Sequence, residues 1–68
     1  MPTWRYKFVW VNLIGNILRI DGKEVVEKVS FYKHADILGA DGWELISTTT
    51  LSDSNGRPFI QYSFKRPD

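Results

Sequence analysis

The sequence predicts a small α+β domain in which one short helix packs on one face of an antiparallel sheet, in the order β-β-α-β-β. Three observations carry that expectation: residues alternate strictly from Trp4 to Val11, apolar residues recur at helical spacing after Ser30, and Gly15-Asn16, Asp21-Gly22 and Asn55-Gly56 punctuate the chain as turns.

From Trp4 to Val11, the aromatic residues Trp4, Tyr6, Phe8 and Trp10 fall on one side and Arg5, Lys7, Val9 and Val11 on the other, the period-2 pattern of a strand. The aromatic side is expected to be the core. Gly15-Asn16 turns the chain into a short β-rich run, Ile17 to Ile20, and Asp21-Gly22 supplies a second tight turn that carries Lys23 to Val26 back as an extension. Ser30 is placed to cap a helix with Phe31, Ala35 and Leu38 at i, i+4 and i+7, and Gly39 to end it in the left-handed conformation. After the connector Ala40-Asp41-Gly42, Trp43 to Thr50 reads as a strand, and Phe59 to Lys65 as the last one, with the polar loop Ser52 to Pro58 between them.

At 68 residues the chain is a single domain, spanning 1–68. A domain of this size buries only about 60% of the surface its unfolded chain exposes, so its stability rests on a small core or on assembly with other copies. With 43% apolar residues, ten aromatics among them, the material for a core is present. There is no cysteine and His34 is the one histidine, so neither a disulfide, a structural zinc site nor a cofactor is expected. Nine basic against eight acidic side chains leave a net charge of +1, too balanced for a duplex-DNA binder. No apolar run is long enough for a signal peptide or a membrane span, so the expected location is cytoplasmic.

The first strand Trp4-Arg5-Tyr6-Lys7-Phe8-Val9, the central segment Ile37-Leu38-Gly39-Ala40-Asp41-Gly42-Trp43-Glu44-Leu45-Ile46-Ser47 and the ending Tyr62-Ser63-Phe64-Lys65-Arg66-Pro67 together resemble the DUF4177 family of small bacterial and phage proteins. The resemblance spans both ends and the middle of the chain and implies a fold, with Trp43 as a core anchor. It brings no catalytic residues. The chain departs from the family pattern between Ile14 and Glu27, where the Asp21-Gly22 hairpin is an insertion.

No catalytic set is assigned. His34 lacks an orienting partner in sequence and Ser30 is spent at a helix start, so a partly exposed helix histidine is the expected reading. Asp41 and Glu44 straddle a turn, and Asp53-Ser54-Asn55-Gly56 lacks the closing glutamate of a calcium loop and reads as a turn. Two surfaces remain. With the aromatic stripe as core, Val9, Val11 and Ile46 form a second apolar patch whose expected cover is another copy, making the chain a homo-oligomeric, non-catalytic interaction module that also accepts a protein partner. Arg5 and Lys7, joined by Gln61, Ser63 and Lys65 with Arg57 and Arg66 near the edges, form a polar face whose cations Arg5, Lys7, Lys65 and Arg66 are the candidates for holding an anion or nucleotide. The stripe itself is not expected to stack single-stranded nucleic acid, because stacking requires exposure.

Overall fold

In a computed structural model describing residues 3–68, the chain forms β1 (Trp4–Asn12), β2 (Ile17–Ile20), β3 (Lys23–Glu24), α1 (Phe31–Ala40), β4 (Glu44–Ser52) and β5 (Pro58–Pro67). The α+β class and the single helix agree with the sequence. The Asp21-Gly22 extension adds one two-residue strand, giving the order β-β-β-α-β-β. All five strands join one antiparallel sheet in the spatial order β3-β2-β1-β5-β4. The first and last strands therefore lie side by side at its centre, paired from Trp4↔Pro67 to Asn12↔Phe59. β3 and β4 sit on opposite edges and run in the same direction, so the segment bearing α1 has to cross a face of the sheet to connect them.

The face it crosses is the reverse of the expected one. Val9 and Val11 are 0% and 2% exposed and form the core with Ile17, Phe31, Leu38 and Phe64, while Trp4, Tyr6 and Phe8 remain 42%, 55% and 42% exposed on the uncovered face. The physical reason lies in volume. A ten-residue helix about 15 Å long must approach the sheet closely to exclude water, and the β-branched valines allow that approach where four large aromatics would hold it away. The helix brings its own aromatic: Phe31 stacks on Tyr62 with ring centroids 4.1 Å apart and leans on Phe64 at 6.3 Å. Val9 and Val11 are thus core residues and cannot serve as the intersubunit patch. Ile46 stays 44% exposed in β4, at a bulge where the register with β5 slips between Leu45 and Ser47.

Local signals set the turns. Asp21 and Gly22 have φ of 51° and 83°, the mirror-image turn that suits a two-residue hairpin, and the Asp21 carboxylate accepts a hydrogen bond from the Phe8 amide at 2.9 Å. The Asp53 carboxylate accepts from the amides of Asn55 and Arg57, each at 2.9 Å, so it is committed to the turn that Asn55-Gly56 predicted.

The helix end corrects the sequence reading. Gly39 lies inside α1, and the left-handed residue is Gly42, with φ of 86°. Trp43 N donates to the Leu38 carbonyl at 2.9 Å and Gly42 N to the Gly39 carbonyl at 3.1 Å, the paired bonds of a Schellman cap. At the other end Ser30 precedes the helix but its side chain makes no capping bond. Opposite outcomes follow for two alanine variants. Gly42→Ala is expected to lower stability by about 1–2 kcal/mol through the left-handed penalty, whereas Gly39→Ala, with open space around the new methyl, gains about 1 kcal/mol of helix propensity. In thermal unfolding followed by circular dichroism each 1 kcal/mol reads as about 4–8 °C in a domain of this size.

Candidate functional site

Two surfaces carry most of the chemistry, one on each side of the sheet. On the uncovered side, Tyr6, Phe8 and Trp10 stand directly across from Lys65, Ser63 and Gln61 of β5, and Arg19 of β2 stands across from Trp10. The Trp10 indole N–H donates to Gln61 Oε1 at 2.9 Å, and its ring packs on Phe59 at 4.5 Å. Cations sit over both ends of the stripe, Lys65 Nζ 4.4 Å from the Trp4 ring and the Arg19 guanidinium 5.8 Å from the Trp10 ring. Each cation has a carboxylate opposite it in the sheet, Glu44 for Lys65 and Glu24 for Arg19. The outcome is a half-exposed aromatic stripe with balanced charge at each end.

The polar face expected from sequence is divided. The register pairs even-numbered residues of β1 with odd-numbered residues of β5, so Gln61, Ser63 and Lys65 share the aromatic side, while Arg5 and Lys7 lie on the helix side. Arg66, directly across from Arg5, joins them there. Lys65 is therefore separated by the thickness of the sheet from the other three candidate anion ligands.

Those three line an open depression of about 570 Å³ beside the C-terminal end of α1. Arg66 Nη1 donates to the Asp41 carboxylate at 2.6 Å and to the Asp41 carbonyl at 3.0 Å, and Lys7 Nζ donates to the Asp21 carboxylate at 3.1 Å. Both cations also lie over Trp43, Arg66 at 4.7 Å and Lys7 at 5.2 Å from the ring centroid. The indole N–H is turned toward Asp41 at 3.3 Å. Arg5 is 3.6 Å from the Asp68 carboxylate at the exposed rim. Trp43 packs only partly against the core, so its ring serves as a wall of the depression as well as an anchor. One signal for this cluster is present in the sequence: Asp21-Gly22 and Asp41-Gly42 are both tight turns that deliver a carboxylate to a basic residue.

His34 also lines the depression, but its Nε2 is sealed from solvent and has no hydrogen-bond partner among the described residues. Burial, then the nearby Lys7 charge, holds its pKa below the ordinary 6.5. The unfolded chain therefore binds the proton more readily than the folded one. Stability is full above pH 6.5, falls as the pH drops through that value and levels off below the lowered folded-state pKa. In urea titrations at several pH values this acid-side loss is expected to be modest and to vanish in His34→Gln. In NMR titrations of wild-type His34, Lys7→Ala is expected to move the midpoint upward.

Family models, curated proteins and solved structures were all compared with the chain, and none of the three comparisons found a match. No helix is long and apolar enough to cross a membrane among the described residues.

Proposed function

We propose that the chain is a non-catalytic interaction module that self-associates through the uncovered face of its sheet, in the manner of a small DUF4177-like accessory domain. The observation that carries this reading is the exposure of Trp4, Tyr6 and Phe8 along the central strand. β1 carries apolar residues on both sides, Val9 and Val11 beneath α1 and the aromatics opposite, as in a sheet covered on both faces, and α1 covers one. The second cover must match a surface of known size. The strands hold 9, 4, 2, 9 and 10 residues, and at about 3.3 Å by about 4.8 Å per residue they give a face of roughly 540 Å², or about 1,100 Å² for two copies, at the low end of specific interfaces.

Charge argues for a second copy as the occupant. Each end of the stripe holds one cation and one carboxylate, so the face has no net sign to attract a polyanion and is complementary to itself. The exposed stripe does meet the geometric requirement for stacking bases, which makes single-stranded nucleic acid the competing occupant. The non-catalytic reading is supported by His34, whose Nε2 is closed to any substrate. A cysteine-free chain suits a reducing compartment, which supports a cytoplasmic setting. Sedimentation equilibrium over a range of protein concentrations tests the proposal. Twice the 7.9 kDa chain mass is expected, and a monomer throughout, or a monomer that binds an oligonucleotide through this face, overturns it.

A further inference from the structure

We infer that the depression on the helix side, walled by Trp43 and armed by Lys7 and Arg66, binds a small oxyanion of the phosphate class. It lies across the sheet from the proposed interface and does not depend on it. The inference begins with donors left over. Arg66 commits only Nη1 to the two Asp41 oxygens, so Nε and Nη2 have no acceptor among the described residues, and Lys7 spends one of its three N–H groups on Asp21. Both side chains are mostly buried, 22% exposed for Lys7 and 25% for Arg66, so water satisfies those donors less fully than it would on an open surface.

Three cations, Arg5, Lys7 and Arg66, line the depression, and each faces one carboxylate, Asp68, Asp21 and Asp41, so the charge is balanced pair by pair and the leftover donors carry the inference. Asp21 and Asp41 each take up one donor of their cation, competing with a ligand for that donor only, and leave the remaining donors free. A planar guanidinium with free N–H groups suits a tetrahedral oxyanion, and a neighbouring ammonium adds a second charge-assisted bond. The volume admits phosphate, pyrophosphate or the phosphate of a larger molecule. Trp43 already has two cations over its ring, which sets the donors for an oxyanion beside the aromatic wall. The phosphate group itself is the recognised element.

The test is an NMR titration with inorganic phosphate against sodium chloride of equal ionic strength, repeated with a nucleoside monophosphate. Saturable shifts at Lys7, Trp43 and Arg66 are expected with phosphate alone. The nucleoside monophosphate is expected to bind no tighter; tenfold tighter binding would identify a nucleotide as the source of the phosphate. Arg66→Ala should weaken binding about tenfold, the scale of one charge-assisted hydrogen bond. Asp41→Asn, which releases Arg66 from a competing carboxylate, should tighten it, an outcome that loss of folding cannot imitate. Lys65→Ala, on the other face, should change nothing. Absence of saturation beyond the chloride control, equal sensitivity to Lys65→Ala, or weaker binding in a folded Asp41→Asn overturns the inference.

Discussion

Replacing Phe8 with glutamate is expected to turn the proposed dimer into a monomer without unfolding it. Phe8 occupies the middle of the aromatic stripe, between Tyr6 and Trp10 along β1 and across from Ser63, and is 42% exposed in the single chain. In the monomer a glutamate there meets water, as polar residues do on the solvated side of any antiparallel sheet. In a face-to-face dimer it places two carboxylates in an apolar centre with nothing to pair them. Truncating a central aromatic anchor alone costs about 2 kcal/mol or more, and the buried charge adds to it, so dimer affinity should fall by at least about 100-fold. Sedimentation velocity with circular dichroism on the same samples reads both quantities. A Phe8→Glu variant that keeps the wild-type mass would show that the stripe is not the interface. Tyr32→Glu is the control: Tyr32 is highly exposed on α1, and its replacement should leave the mass unchanged.

The second large effect separates the two aromatic groups. Phe31 is the ring that α1 buries, stacked on Tyr62 and packed toward Phe64, and Phe31→Ala should cost about 3–5 kcal/mol. At about 0.05–0.15 kcal/mol per residue the whole domain has only some 3–10 kcal/mol to lose, so the variant should be largely unfolded at room temperature. Trp4→Ala should cost a small fraction of that. Both belong in the Phe8→Glu background, because dimerisation raises the apparent stability of any folded variant by mass action. Urea unfolding in which Trp4→Ala proves the more damaging would mean that the core lies on the aromatic side after all.

Element order was legible because its signals are local. Alternation marked β1, the Asp21-Gly22 pair marked a hairpin that two positive φ values require, and the 31, 35, 38 spacing marked α1. The choice of face was not legible. β1 is apolar on both sides, and summed hydrophobicity favours the aromatics, whereas the closeness of helix-to-sheet packing favours the valines. The division of the basic residues was hidden for a different reason. Whether Lys65 joins Lys7 depends on the parity of the β1–β5 register, which is set by contacts across almost the whole chain and by no residue near either lysine. Gly39 and Gly42 illustrate a smaller ambiguity. Both are placed to end a helix, and the choice falls to the one that lets Trp43 N reach Leu38 O while the indole turns toward Asp41.

The pairing of the first strand with the last also governs when the domain acquires its structure. As the chain is synthesised, β1 emerges first and has only the short β2 beside it, while Phe64, a member of the core, and Tyr62, the stacking partner of Phe31, both arrive with β5. A two-stranded hairpin is marginal in water, so the nascent chain holds a half-built sheet until β5 clears the ribosome and zips into the centre. Folding thus waits on the high-contact-order pairing of β1 with β5 and is slow for a domain of this size, with the aromatic stripe and the unpaired edge of β1 uncovered in the interval. Truncation before Phe59 removes the central seam and is expected to abolish the cooperative unfolding transition read by circular dichroism.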